Sequence, residues 1–293
     1  MSAPEHVFVA GCGDLGTRVA LLFAERGARV TGLRRDPARL PAPIERCAGD
    51  LATGAFEVPA SVDAIVFAAA PNARGADTGE RAALYARTYR DGVANLLSAA
   101  PAHARVVFAS STGVYGADDG REVDEDTPPE PATATGRVLL EAEGRVRTAG
   151  GTCLRLGGIY GPGRERLLAR AREYARGAYA GRAAHRTNRI HADDAARIVE
   201  HLLVTDDAPA VLCGVDAESA TELEVLAFVA HALGLRTDDA RRAADASPSG
   251  KRVSSARLRA RGFEYRYPTF REGYAALVSA ASADPPTRPR DSS

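Results

Sequence analysis

The stretch His6–Gly16, HVFVAGCGDLG, decides the fold. A short apolar run ends in glycines, and a helical pattern, LGTRVALLFAERGA, follows at once and is closed by Gly27. Strand, Gly-x-Gly-x-x-Gly, helix is the order in which this spacing cradles a diphosphate. Gly11 permits the tight turn, Gly13 lets a diphosphate approach the backbone, and Gly16 lets helix and strand pack closely. Asp14 and Leu15 then stand at the helix N-terminus, where unpaired N–H groups favour an anion.

Working outward, further apolar runs lie at 28–33, 44–48, 63–70, 104–110 and 151–158. Helical spacing separates several of them, at 78–100 and from the Pro-rich stretch 128–143, PPEPATATGRVLLEAE, to about 149. Strands that are apolar throughout are buried on both faces, the mark of a parallel sheet covered by helices. The first 160 residues therefore read as a doubly wound α/β domain. Beyond Pro162, helices are expected at 164–176, 192–204, 221–233 and 270–280, with short strands near 188–190 and 211–213. The division expected is a Rossmann-type dinucleotide-binding domain, 5–160 plus about 185–204. A small C-terminal α/β substrate cap takes about 161–184 plus 205–282, and a polar, Pro-rich tail, 283–293, is expected to be disordered.

The bulk numbers narrow the function. The formal net charge is zero over 293 residues and there is no basic block, which argues against nucleic acid or an anionic membrane as partner. No apolar run is long enough to span a bilayer, and no leader pattern precedes the first strand, so a cytoplasmic location is expected. Cys12, Cys47, Cys153 and Cys213 are widely spaced, with no CxxC and no metal-ligand cluster, and read as reduced thiols. The second strand ends in Arg34-Arg35, where an NAD site usually places a carboxylate for the ribose 2′-hydroxyl. Guanidinium groups suit a 2′-phosphate, so NADP is favoured and NAD stays open. Asp50, after the third strand, is placed to approach the adenine or simply to turn the chain.

With these residues in view, the chain resembles the extended short-chain dehydrogenase/reductase family, also called the NAD-dependent epimerase/dehydratase family. The likeness is carried by GCGDLG (11–16), Asp50, FAAAPN (67–72), FASSTGVYG (108–116), LRLGGIYGPGR (154–164) and NRIHADDAA (188–196). The segment 251–277 looks like an atypical bacterial branch. The resemblance implies a bound NAD or NADP with Ala69 beside it, and often a sugar-nucleotide substrate; hydride transfer without the usual acid adds a small carbonyl or imine as candidate substrates. The resemblance also implies a homodimer through the helices at 78–100 and 136–149.

The family's chemistry uses a Tyr-x-x-x-Lys pair on the helix after VYG, in which the lysine lowers the tyrosine pKa. Here Thr135 falls at the tyrosine position and Leu139 at the lysine position; a shift of two pairs Thr133 with Arg137. Neither register restores the pair. What the resemblance leaves is Ser111, where the family keeps a hydroxyl on the reacting oxygen, with Thr112 as the neighbouring alternative or a turn-capping role for the hydroxyl. His191 is a candidate proton donor or a structural histidine bonded to Asp193 or Asp194. Tyr160 is a pocket-wall or packing residue that could also give a proton, and Arg164 and Arg189 are candidate contacts for an anionic substrate. Three functions are weighed: an NAD(P)-dependent oxidoreductase working without the usual tyrosine and lysine, a non-catalytic NADP(H)-binding sensor, and an epimerase or dehydratase using transient oxidation, which the loss of the tyrosine hurts most.

Overall fold

The computed structural model describes residues 3–73, 75–164, 166–179, 181–182, 184–237 and 249–283. In chain order the strands are β1 (His6–Ala10), β2 (Arg29–Arg34), β3 (Glu45–Ala48), β4 (Ala64–Phe67), β5 (Arg105–Ser111), β6 (Glu122–Val123) and β7 (Thr152–Leu156). Then come β8 (Gly158–Tyr160), β9 (Arg186–Thr187), β10 (Arg189–His191), β11 (Val211–Gly214), β12 (Ala220–Thr221) and β13 (Arg252–Val253). The helices are α1 (Asp14–Glu25), α2 (Thr78–Tyr85), α3 (Gly92–Ala99), α4 (Ala134–Thr148), α5 (Arg166–Ala175), α6 (Ala192–Val204), α7 (Glu222–Ala232), α8 (Ala256–Ala260) and α9 (Phe270–Ala283).

Seven strands form one parallel sheet in the order β11-β7-β5-β4-β1-β2-β3. The order reverses between β1 and β4, and the glycine loop leaves the carboxyl end of β1 at that switch point, where ligands of such sheets bind. Side chains alternate across β1. Val7 and Val9 pack on one face with Phe23 of α1 and Ile198 of α6. Phe8 and Ala10 face the other, with Tyr89, Phe108 and Leu139. Both faces of β1 are buried, which is why this strand is apolar along its length after His6. A third apolar cluster, with Leu168, Val225, Leu226, Val229, Phe270 and Tyr274, unites α5, α7 and α9 beyond the carboxyl edge of the sheet.

Two features differ from the sequence expectation. The strand at 211–213 falls within the expected cap span, 205–282, but β11 pairs with β7 and is the seventh strand of the main sheet. Its four residues are compatible with either sheet by composition; only the pairing partner decides. The helix expected at 78–100 has π geometry over Ala86–Asp91, between α2 and α3. There Tyr89 turns inward, its ring 6.2 Å from Phe67 and 5.9 Å from Phe108. The expected tail, 283–293, lies outside the described residues except for Ala283.

Candidate functional site: a dinucleotide cleft

Each glycine of the loop has a distinct steric reason. Gly11 has φ +83°, and a methyl group added to it would come within 2.4 Å of the backbone of Ala69. Gly16 has its own tight neighbour, since a methyl there would meet the Gly11 carbonyl oxygen at 2.7 Å and Val9 Cγ1 at 3.0 Å. At Gly13 the nearest atom to an added methyl is the Gly11 oxygen at 3.9 Å, so the loop presents open space there. Gly13 is also the N-cap of α1 and supplies no side-chain cap, leaving the first N–H groups of the helix for another acceptor. The cradle therefore fits a dinucleotide diphosphate.

At the other end of the cleft, Arg34 is half-buried and donates from Nη1 to the Cys12 carbonyl at 3.2 Å, which lays its guanidinium along the glycine loop. Arg35 is exposed. Asp50 accepts from Ala52 N–H through Oδ1 at 2.9 Å, so one carboxylate oxygen turns the chain and the other stays free of it.

Ser111 ends β5. Its Oγ accepts from the Gly113 N–H at 3.1 Å, and its hydroxyl proton has no acceptor among the described residues. Thr112 is buried in the turn that follows. Thr133 caps α4, accepting from Gly136 N–H at 3.1 Å, and Thr135 Oγ1 lies 3.1 Å from Thr133 Oγ1. Gly136 packs against the Gly113 carbonyl, where an added methyl would come within 2.8 Å, so Thr135 is carried next to the turn after Ser111. Leu139 is buried in the core with Val114 and Tyr115, and Arg137 is exposed. Apolar packing thus occupies the place one register gives to a lysine, and the other register's cation faces solvent.

Behind Ser111 lies a buried polar network that joins residues of three separate segments. Glu143, 0% exposed, accepts from Ser110 Oγ at 2.6 Å and from Arg155 Nη2 at 2.7 Å. Arg155 also donates to the Tyr115 hydroxyl at 2.7 Å, and that hydroxyl donates to the Asp124 carbonyl at 2.5 Å. Burial and the nearby Cys213 push the Tyr115 phenol up, so it stays neutral. The network ties the ends of β5 and β7 to α4.

His191 is 1% exposed. Its Nδ1 accepts from the Asp193 N–H at 3.2 Å and so caps α6; the neutral ring then carries its proton on Nε2. Of the two expected partners, Asp193 or Asp194, it is Asp193 that bonds the ring. The Asp193 backbone is the nearer one, and the Asp193 carboxylate lies 3.7 Å away. Burial is the main cause that lowers the imidazole pKa, outweighing the acids beside it. Tyr160 stacks on Tyr274 at 4.4 Å between centroids, stands edge-on to His191, and donates to the Thr269 carbonyl at 3.3 Å. Burial raises its phenol pKa, and this geometry gives it a wall position. Arg189 is buried beside Thr187, and Arg164 donates to Asp14 at 2.6 Å. Among the described residues no group of His, Cys, Asp and Glu could hold a metal ion.

A seven-stranded parallel sheet with a glycine cradle at its switch point defines the class: a Rossmann-type dinucleotide fold. The model of the NAD-dependent epimerase/dehydratase family matches residues 7–213, and the chain belongs to that family. It is 31% identical over 280 residues to Protein YeeZ of Escherichia coli K12, covering 90% of this chain and 97% of YeeZ. A Methylobacillus flagellatus protein, provisionally described as an NAD-dependent epimerase/dehydratase, is 30% identical with a TM-score of 0.76, covering 95% of this chain and 99% of that one. The UDP-glucose 4-epimerase of Thermus thermophilus, solved with NAD, shares the fold at 20% identity and TM-score 0.73, with 94% and 98% covered. No helix among the described residues is long and apolar enough to cross a membrane.

Proposed function

We propose that the protein is an NAD(P)-dependent oxidoreductase that acts on a small carbonyl, imine or sugar-nucleotide substrate without a tyrosine–lysine pair. One observation carries the reading. The cradle is complete, with Gly13 open and α1 without a side-chain cap, and the hydroxyl proton of Ser111, at the end of β5, has no acceptor among the described residues. Gly11, Gly13, Asp14, Leu15, Gly16 and Ala69 hold the diphosphate side, and Asp50 the adenine side. Arg34 and Arg35 favour a 2′-phosphate and hence NADP. The nicotinamide, when bound, supplies or accepts the hydride.

The protein's own part is positioning. Ser111 donates a hydrogen bond to the substrate oxygen and so fixes the reacting carbon. Thr135 lies beside the same turn and is a second hydroxyl for that oxygen. His191, neutral and capping α6, is held as a structural imidazole; water is the proton source in this reading. Loss of one general acid costs typically 10²–10⁴-fold in rate, which a substrate that arrives already protonated, such as an iminium, does not incur. The relative solved with NAD acts, by its name, on a nucleotide sugar, which keeps that class in the panel. We place the protein in the cytoplasm, with its four cysteines free, and expect a dimer through α2–α3 and α4.

The test is a turnover panel. The purified protein is mixed with NADPH or NADH and with ketones, aldehydes, cyclic imines and nucleotide sugars, and cofactor absorbance is followed. Oxidation in at least one mixture, reduced about ten-fold or more in Ser111→Ala, supports the reading. A second reading, a non-catalytic NADP(H) sensor, is favoured by the burial of Leu139 in the core, which leaves no ammonium at the nicotinamide ribose. Tight cofactor binding with no oxidation across the panel selects it.

A further inference from the structure

Asp14 places a carboxylate that suits the start of a helix but opposes a diphosphate bound at the same place. It is the first residue of α1, beside the open Gly13, so its charge stands next to the place a diphosphate takes. Two arginines neutralise it, Arg18 one turn along the same helix and Arg164 from a distant turn. Arg18 Nε donates to Asp14 Oδ1 at 3.0 Å and Arg164 Nε to Asp14 Oδ2 at 2.6 Å. Burial acts to raise the Asp14 carboxyl, and the two guanidinium groups outweigh it and hold it below its usual range.

The two arginines are not equivalent. Arg18 is anchored: it also donates to Asp193 Oδ1 at 2.6 Å and to the Pro162 carbonyl at 3.1 Å, and its side chain is 25% exposed. Among the described residues the Arg164 guanidinium has one other hydrogen bond, a long one of 3.5 Å to the Ile159 carbonyl, and its side chain is 37% exposed. It follows Gly161 and Gly163, both at positive φ, on the turn between β8 and α5. Arg164 can therefore swing on a glycine turn, while Arg18 stays with Asp14.

We propose that Arg164 is a latch for the cofactor diphosphate: it rests on Asp14 in the free protein and transfers to the diphosphate when a dinucleotide docks. Arg18 keeps Asp14 neutralised after the exchange. The latch rests on the dinucleotide reading above and adds to it a binding residue that lies 150 positions from the glycine loop's acid. Because the turn that carries Arg164 also follows Tyr160, the exchange couples cofactor arrival to the wall of the substrate side.

The experiment uses calorimetry of the full chain at low ionic strength, with ADP-ribose, NADPH and adenosine as probes. Arg164→Gln weakens ADP-ribose and NADPH about ten-fold. Asp14→Asn strengthens both by a few-fold, because it frees the arginine and removes a like charge. Adenosine, which has no phosphate, is unchanged in both variants. Arg164→Lys retains part of the affinity and controls for folding, alongside circular dichroism. The two substitutions break the same ion pair, so a merely structural bridge moves both affinities in one direction. That result, or an Arg164→Gln protein that binds as wild type does, overturns the latch alone. Wild-type protein that binds none of the three probes overturns the cofactor reading itself.

Discussion

Alanine substitutions at the three loop glycines separate the cradle's fold from its function. At Gly11 the new methyl lies 2.4 Å from the Ala69 backbone, and φ is +83°. The left-handed conformation costs about 1–2 kcal/mol for an L-residue and overpacking about 1–3 kcal/mol, so Gly11→Ala loses about 2–5 kcal/mol. At Gly16 the φ is ordinary, and the contacts of 2.7 and 3.0 Å leave the overpacking loss of about 1–3 kcal/mol. At Gly13 the nearest atom is 3.9 Å away and φ is −85°, so stability changes by less than about 1 kcal/mol. The same methyl stands where a diphosphate meets the backbone, and it weakens dinucleotide binding by at least about ten-fold through lost charge-assisted hydrogen bonds. Urea unfolding gives the first quantity and calorimetry with NADPH the second. If Gly13→Ala is destabilised as much as Gly11→Ala, or binds as wild type does, the assignment of that open space to a diphosphate is wrong.

Other expectations concern the buried charges. Glu143→Gln leaves the Arg155 guanidinium, 3% exposed, without its carboxylate, and stability falls by about 3–5 kcal/mol; a loss below about 1 kcal/mol by urea unfolding refutes a stabilising role for the network. Asp216 is 3% exposed, with neither carboxylate oxygen hydrogen-bonded among the described residues, and burial pushes its pKa up to about 8. A pKa raised on folding removes stability as pH rises, so the advantage of Asp216→Asn widens between about pH 4 and 8 and is level above that; equal melting shifts at pH 5 and 9 contradict it. Burial is the largest cause of lowered imidazole pKa values at His6, His185, His191 and His201. A lowered pKa means stability is complete above about 6.5 and is lost as pH falls below it, and His191→Gln removes part of that loss in thermal melts between pH 7 and 5. Sedimentation tests the α2–α3 and α4 interface: a monomer at micromolar concentration rules it out.

The first strand, the glycine loop and α1 are readable because three glycines at fixed spacing have few other uses between an apolar run and an amphipathic one. Helix α6 is legible with its bounds, 192–204, since its acids and apolar stripe are local signals. What cannot be read depends on partners far along the chain. The strand Val211–Gly214 joins whichever edge the tertiary packing offers, and that edge is β7. The π segment at Ala86–Asp91 follows from seating Tyr89 against Phe67 and Phe108, a fit that helical spacing alone does not reveal. The Asp14–Arg164 and Arg18–Asp193 pairs join residues 150 and 175 positions apart. An arginine-rich sequence offers many candidates for each. Asp216 gives no signal either, because a carboxylate after a short strand is ordinary until its burial is known.

The central claim is that a pyridine dinucleotide settles its diphosphate on the start of α1. Equilibrium titration of the wild-type chain with NADPH and with NADH measures this directly. Saturable binding of one molecule per chain, tighter for NADPH and levelled to the NADH value in Arg34→Ala, is the expected outcome. Absence of any heat with either nucleotide at millimolar concentration contradicts it.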